Sequence, residues 1–223
     1  MSQLYEKSYF EHRVGDLKRQ QMYRQEFDRV MKKTGLSGGS VLDVGCGLGD
    51  FLDLFPAERW KRYGLEVSQH AMDVCRTKGI SFELPEAAGA FDLVILRGSL
   101  QHLDRPVDTL FRCHDWLRVD GWLCILATPN AGGIVYRLFQ DLPALNDLLN
   151  FVVFSDKALR NCLHNIGFQD MSFEYPYADT AYASVLKDHL LFALRFLRIK
   201  KRFAFWRNMM ECYARRPGEP NLR

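Results

Sequence analysis

The run Val41-Leu42-Asp43-Val44-Gly45-Cys46-Gly47-Leu48-Gly49-Asp50 constrains this chain more than any other segment. An apolar stretch is followed at once by glycine at every second position, so the backbone can turn sharply and admit a ligand at close range. Open α/β sheets bind ligands at that carboxyl edge of the strands. A dinucleotide fingerprint would need its third glycine at position 50, where Asp50 stands, and a carboxylate repels a pyrophosphate. A cationic ligand tolerates it better. About 20 residues on, Tyr63-Gly64-Leu65-Glu66 ends a second apolar run, the spacing at which a carboxylate accepts both hydroxyls of an adenosine ribose. Alone, Glu66 would read as a solvated strand end; behind the glycine turn it reads as a ligand.

The rest of the chain supplies the frame for such a turn. Residues Asp16 to Lys33 set Leu17, Met22, Phe27, Val30 and Met31 at helical spacing, and Gly35 with Gly38-Gly39 ends that segment. Strand-like runs follow at 41–44, 62–65, 91–96, 122–127, 171–175 and 209–214. Helix-length segments lie between them, one with Pro106 after Asp104, another opening at Ser155 and stopping at Gly167. Alternation of this kind predicts a parallel sheet covered on both faces. Residues 84–90 and 130–150 read as surface or site-forming loops, and 180–202 as a helix inserted before the last strand.

These motifs resemble the class I S-adenosylmethionine-dependent methyltransferases, most closely the small-molecule branch with its ubiquinone-pathway and polysaccharide- or sugar-modifying enzymes. The resemblance rests on Val41 to Asp50 with Glu66, and is supported by Phe91-Asp92-Leu93-Val94-Ile95-Leu96-Arg97-Gly98-Ser99-Leu100-Gln101-His102-Leu103 and by Leu117 to Trp122, which resemble the fourth strand and the turn into the fifth. It implies one domain over 1–223, a Rossmann-like, doubly wound, mostly parallel seven-stranded sheet, with a helical cap at 1–36 and a helical lid at 180–202. It implies S-adenosylmethionine as cofactor, with Asp43, Gly45, Cys46 and Gly47 bordering its methionine end, Glu66 and Val67 its ribose, and Arg97, Gly98 and Ser99 walling the site. Tyr5 and Tyr9-Phe10 are similar to an aromatic segment that covers the cofactor in some relatives. Where an acidic residue usually follows the third strand to meet the adenine amine, Ile80-Ser81-Phe82-Glu83-Leu84-Pro85 offers only Glu83.

At the acceptor end, His102 follows the fourth strand beside the expected methyl group, and an imidazole suits proton removal near neutrality, as oxygen methylation requires. A histidine that caps or packs the next helix is the equal alternative. Metal-dependent methylation would want a carboxylate where Arg97 stands, and base methylation an Asn/Asp-Pro-Pro-aromatic element where Leu96-Arg97-Gly98-Ser99 stands. Neither a metal nor nucleic acid is expected. The favoured acceptor is a small hydroxylated molecule, sugar-like or lipid-linked; nitrogen or carbon methylation, and a silent cofactor-binding partner subunit, stay open.

Composition narrows the setting. Lys+Arg 30 against Asp+Glu 27 leaves +3, too balanced to indicate nucleic acid, and 48% hydrophobic residues can fill one core. The six cysteines show no C-x-x-C pair and read as reduced, buried thiols of a cytoplasmic protein. Residues 186–206 (LKDHLLFALRFLRIKKRFAFW) are basic and amphipathic. Such a helix packs as a lid or on a second subunit, as in a homodimer, more often than it lies on the inner membrane face or meets a lipid-linked substrate.

Overall fold

The computed structural model describes residues 15–142, 151–199, 201 and 203–218. The first helix, α1 (Leu17–Thr34), starts where the Asp16 carboxylate accepts the Arg19 N–H at 3.1 Å. It ends at Gly35, whose left-handed backbone turns its N–H onto the Met31 carbonyl. Strands β1 (Gly39–Val44), β2 (Trp60–Leu65), β3 (Phe91–Arg97), β4 (Leu117–Pro129), β5 (Gln169–Glu174) and β6 (Met209–Arg215) form one sheet in the order β2-β1-β3-β4-β6-β5. The first four run parallel; β6 lies antiparallel between β4 and β5. Helices α2 (Gln69–Thr77), α3 (Pro106–Trp116) and α5 (Asp156–Ile166) connect the strands. The place of a seventh strand is taken by an isolated parallel bridge, Tyr63 to Ser81.

Period-two alternation decides where the cores sit. In β1, Val41 packs with Leu93, Ile95, Phe51 and Phe55 on the α1 and α2 side, while Leu42 and Val44 pack with Val94, Leu96, Leu110 and Leu163 on the α3 and α5 side. Truncating a fully buried residue such as Leu93 to alanine costs about 2–5 kcal/mol. Chain order runs outward from β1 to β2 and then back to β3. Such a reversal opens a crevice at the strands' carboxyl ends.

Three expectations need correction. Residues 117–121 belong to β4, with Asp120 at φ +65 and a register shift against β3, and do not form a separate turn before it. The stretch 130–150 includes a helix, α4 (Ile134–Phe139), too short at six residues to show periodicity; 143–150 lie outside the described residues. The inserted helix α6 (Val185–Arg195) stops well before 202, because Arg198 turns left-handed (φ +64) and the Ile199 N–H closes onto the Leu194 carbonyl. Its inner face joins α4 and the segment 203–205 in a third core of Val135, Leu142, Leu191 and Phe203.

Candidate active site

Three strand ends converge at the crevice. After β1 the chain turns through Gly45 and Gly47, at φ +82 and +55, a region that side chains rarely adopt. The Gly45 N–H donates to the Leu65 carbonyl at 2.7 Å, tying the turn to β2. A Cβ at Gly45 would lie 2.7 Å from that of Ser99, so the turn and the end of β3 touch only because glycine is there.

Glu66 organises the second strand end. One carboxylate oxygen accepts the Gly47 N–H at 2.9 Å; the other accepts the N–H groups of Val67 and Ser68 at 2.7 and 3.0 Å. Ser68 then caps α2 through the Ala71 N–H. A carboxylate has about four lone-pair sites, so acceptor capacity remains for hydroxyl groups. Glu83 is exposed, and Val67 is held by its backbone with its side chain outward.

Asp43 lies beneath the turn, 2% exposed. Among the described residues its Oδ1 has no hydrogen-bond partner, nor has the Ser99 Oγ. Burial pushes its carboxyl up to about 7, with the Arg97 guanidinium opposing and Glu66 reinforcing the shift. Such a group gains by meeting a cation or a donor.

Arg97 ends β3 and forms a two-point pair with Glu26 of α1 (2.5 and 3.2 Å) while stacking on the Tyr23 ring at 4.0 Å. Glu26 is itself 1% exposed, and burial raises its carboxyl above the usual range despite Arg97. Arg97 therefore divides two cavities. One of about 50 Å³ lies over the turn, lined by Tyr23, Asp43, Gly45 to Leu48, Asp50, Phe51 and Arg97. The other, about 490 Å³, lies between α1, the ends of β4 and β6 and the segment 176–182; its polar lining includes Arg19, Glu26, Tyr177, Asn208 and Glu211. Glu211 accepts both Arg29 nitrogens (2.5 and 2.9 Å) and the Tyr213 hydroxyl (2.6 Å). Asp188 accepts the Tyr177 hydroxyl at 3.2 Å, and burial together with that carboxylate pushes the phenol up to about 12.

Of the residues expected from the sequence, Asp43, Gly45, Cys46, Gly47 and Arg97 line the small cavity; Glu66, Val67, Gly98 and Ser99 frame it through the contacts above or by sequence adjacency. His102 lies in the single helical turn Leu100–His102 after β3, half-buried, with Nε2 3.3 Å from the Gln101 amide nitrogen; it lines neither cavity. Tyr5 and Tyr9-Phe10 lie outside the described residues. The sequence reading missed Tyr23, Glu26, Phe51 and Glu211. For Glu26 a signal existed: it stands four residues from both Met22 and Val30, inside the apolar stripe of α1. Cys46 and Cys75 are buried under the turn, and the Cys75 thiol reaches the Gly47 carbonyl at 3.2 Å. Among the described residues, no group of three or more His, Cys, Asp or Glu is placed to hold a metal ion.

A family model described as "Methyltransferase domain" matches residues 16–172, which include β1 to β4, α1 and the whole glycine turn. The chain belongs to this family, within the class I S-adenosylmethionine-dependent methyltransferases. The domain is similar to the ubiquinone biosynthesis O-methyltransferase of Thiobacillus denitrificans, 29% identical over 122 residues that cover 49% of this chain and 52% of that protein. It is also similar to the tRNA U34 carboxymethyltransferase of Cronobacter sakazakii, 29% identical over 66% of this chain and 50% of the other. The chain thus spans about half the length of the curated relatives it matches. Among solved structures, a SAM-dependent methyltransferase of Archaeoglobus fulgidus shares the methyltransferase fold with TM-score 0.60 at 17% identity, over 88% of this chain and 94% of that one. Phosphoethanolamine N-methyltransferase 2 of Haemonchus contortus, solved with S-adenosyl-L-methionine, gives TM-score 0.60 at 14% identity, over 87% of this chain and 53% of its own.

Proposed function

We propose that this domain binds S-adenosylmethionine across the carboxyl ends of β1, β2 and β3 and directs its methyl group to a small hydroxylated acceptor held in the larger cavity. The observation that carries the reading is Asp43: a carboxylate sealed under a left-handed glycine turn with one oxygen unbonded. The residues present fit the cofactor. Asp43 and the Ser99 hydroxyl offer an acceptor and a donor beside the turn for a cationic amino-acid end. Glu66 has oxygen lone pairs left for ribose hydroxyls. About 50 Å³ suits a small polar head group, so the nucleoside would extend along the open strand ends beside Glu66.

S-adenosylmethionine, when bound, supplies a methyl carbon on a sulfonium sulfur, already a good leaving group. The protein's own contribution is then mainly alignment. Arg97, clamped by Glu26 and Tyr23, separates the two cavities and fixes the distance between them. The larger cavity is mostly apolar, with polar groups at a few points, as suits a small molecule with a ring or chain and scattered hydroxyls. The likeness to ubiquinone biosynthesis O-methyltransferases supports oxygen as the atom.

Oxygen acceptors need a base, and two candidates compete. His102 stands in the turn directly after β3, at the end of a strand that borders the proposed cofactor site, though its side chain lines neither cavity. Glu26 lines the larger cavity and holds its proton more tightly than an ordinary glutamate, which favours it as a second reading. A transfer assay with methyl-labelled cofactor over a panel of phenolic, sugar and lipid-linked hydroxyl compounds tests the function. On the accepted compound, His102→Ala is expected to lower turnover about a hundredfold with cofactor affinity unchanged. If His102→Ala is silent and Glu26→Gln is inactive, the base is Glu26. No transfer despite tight cofactor binding would favour a silent partner subunit.

A further inference from the structure

The inserted helix α6 has a buried inner side and an exposed, apolar outer one. Asp188, Leu191 and Arg195 are buried on the inner side. Asp188 is capped by the Tyr177 hydroxyl and the Ser184 N–H, and Arg195 pairs with Asp141. On the outer side Leu186, Leu190 and Ala193 stand four and three residues apart, which at 3.6 residues per turn makes one stripe, continued by Leu197 just past the helix. Leu186 is 89% exposed, Leu190 60% and Leu197 71%. A surface helix normally keeps charged residues on that side.

The charges around the stripe have one sign. Between Asp179 and Glu211 the only acidic residue is Asp188, which faces inward. Lys187 on α6 and Arg198 and Lys201 after it are exposed, as are Phe196 and Trp206. A two-fold contact between copies would set this patch against itself, cation toward cation, with no exposed carboxylate in the segment to offset them. An anionic lipid surface offers both an apolar layer for the leucines and opposite charge for the lysines and arginines. No helix among the described residues is long and apolar enough to cross a membrane, so the contact would lie in the interface plane.

We infer that the outer face of α6, with the exposed residues Leu197, Arg198, Lys201 and Trp206 that follow it, docks on anionic phospholipid bilayers. This does not depend on methyl transfer. It has a consequence for it, though: the inner face of the same helix packs on Phe203 and Phe205, which line the larger cavity, so docking would bring that cavity's wall to the lipid.

The test is co-sedimentation of the full chain with phosphatidylcholine vesicles, with and without phosphatidylglycerol. The expected result is partitioning onto the phosphatidylglycerol vesicles at least about tenfold above that on pure phosphatidylcholine, weakening as salt is raised. The double variant Leu186→Glu/Leu190→Glu should lose at least about tenfold of that binding, and Lys187→Glu roughly fivefold. Both should keep the unfolding temperature and cofactor affinity of the unaltered chain, because these side chains are exposed and lie outside both cavities. Equal binding to the two vesicle types, or binding indifferent to salt in the unaltered chain, overturns the inference without need of a variant. So does a dimer in sedimentation velocity that the double variant dissociates, which would assign the face to a second copy.

Discussion

The turn over Asp43 and the cavity beyond Arg97 share the Arg97 side chain and little else. Among the described residues, the first is lined almost wholly by residues 43–51, with Tyr23 and Arg97 reaching it from elsewhere; the second draws on α1, the ends of β4 and β6, and the segments 176–182 and 203–205. Backbone geometry dominates one and long-range side-chain pairing the other. The turn is built on positive φ angles and on the Gly47 N–H directed at Glu66. The cavity is built on buried ion pairs such as Glu26 with Arg97 and Glu211 with Arg29. A point change in the turn should therefore abolish binding, whereas one in the cavity should tune it.

The sharpest break is Gly45→Val. A β-branched residue at φ +82 that also meets Ser99 should cost about 2–3 kcal/mol of stability and weaken cofactor binding more than a hundredfold, measured by denaturant unfolding and calorimetry. Wild-type affinity in that variant would show that the turn is not the binding element.

Asp43 gives a pH signature. Its folded carboxyl holds a proton up to about 7, whereas an unfolded aspartate releases it near 3.9, so in that window the folded state binds more protons and stability falls as pH rises. The loss is on the order of 4 kcal/mol, present in full as stability below about 4 and gone above about 7. A cation beside Asp43 must displace the same proton. Cofactor affinity should then rise up to tenfold per unit as pH climbs toward about 7 and level off above it, while Asp43→Asn binds weakly at every pH without a slope. A flat wild-type profile would remove Asp43 from the site.

The cavity should respond more mildly. Tyr177→Phe removes a hydroxyl bonded to Asp188 at its wall and should alter the acceptor KM a few-fold at most, leaving cofactor affinity untouched. A change as large as that of Gly45→Val would erase the distinction between the two halves.

That distinction also explains what the sequence disclosed. The strands and the glycine turn were readable because short-range pattern determines them: apolar runs, glycines at every second position, Ser155 and Gly167 at the ends of α5. Glu66 was readable through its distance from the turn. The pairing of Glu26 with Arg97 spans 71 positions and carries no local mark beyond an acid in an apolar stripe. Residues 117–121 were misread because Gly121 and Asp120 look like a turn, while the neighbouring strands hold them in the sheet with Asp120 in a left-handed conformation. Short α4 spans too few residues to show a periodicity, and the early stop of α6 depends on the left-handed turn at Arg198, a residue type that carries no stop signal of its own.

The central claim is that Glu66 and the turn it braces form a cofactor site, and calorimetric titration with S-adenosylmethionine and S-adenosylhomocysteine, alongside Glu66→Ala, tests it most directly. The account predicts binding of both by the unaltered chain and at least about a tenfold loss in the variant, as removal of a charged hydrogen-bonding group implies. Failure of the unaltered chain to bind either compound, or equal binding by the variant, would contradict it.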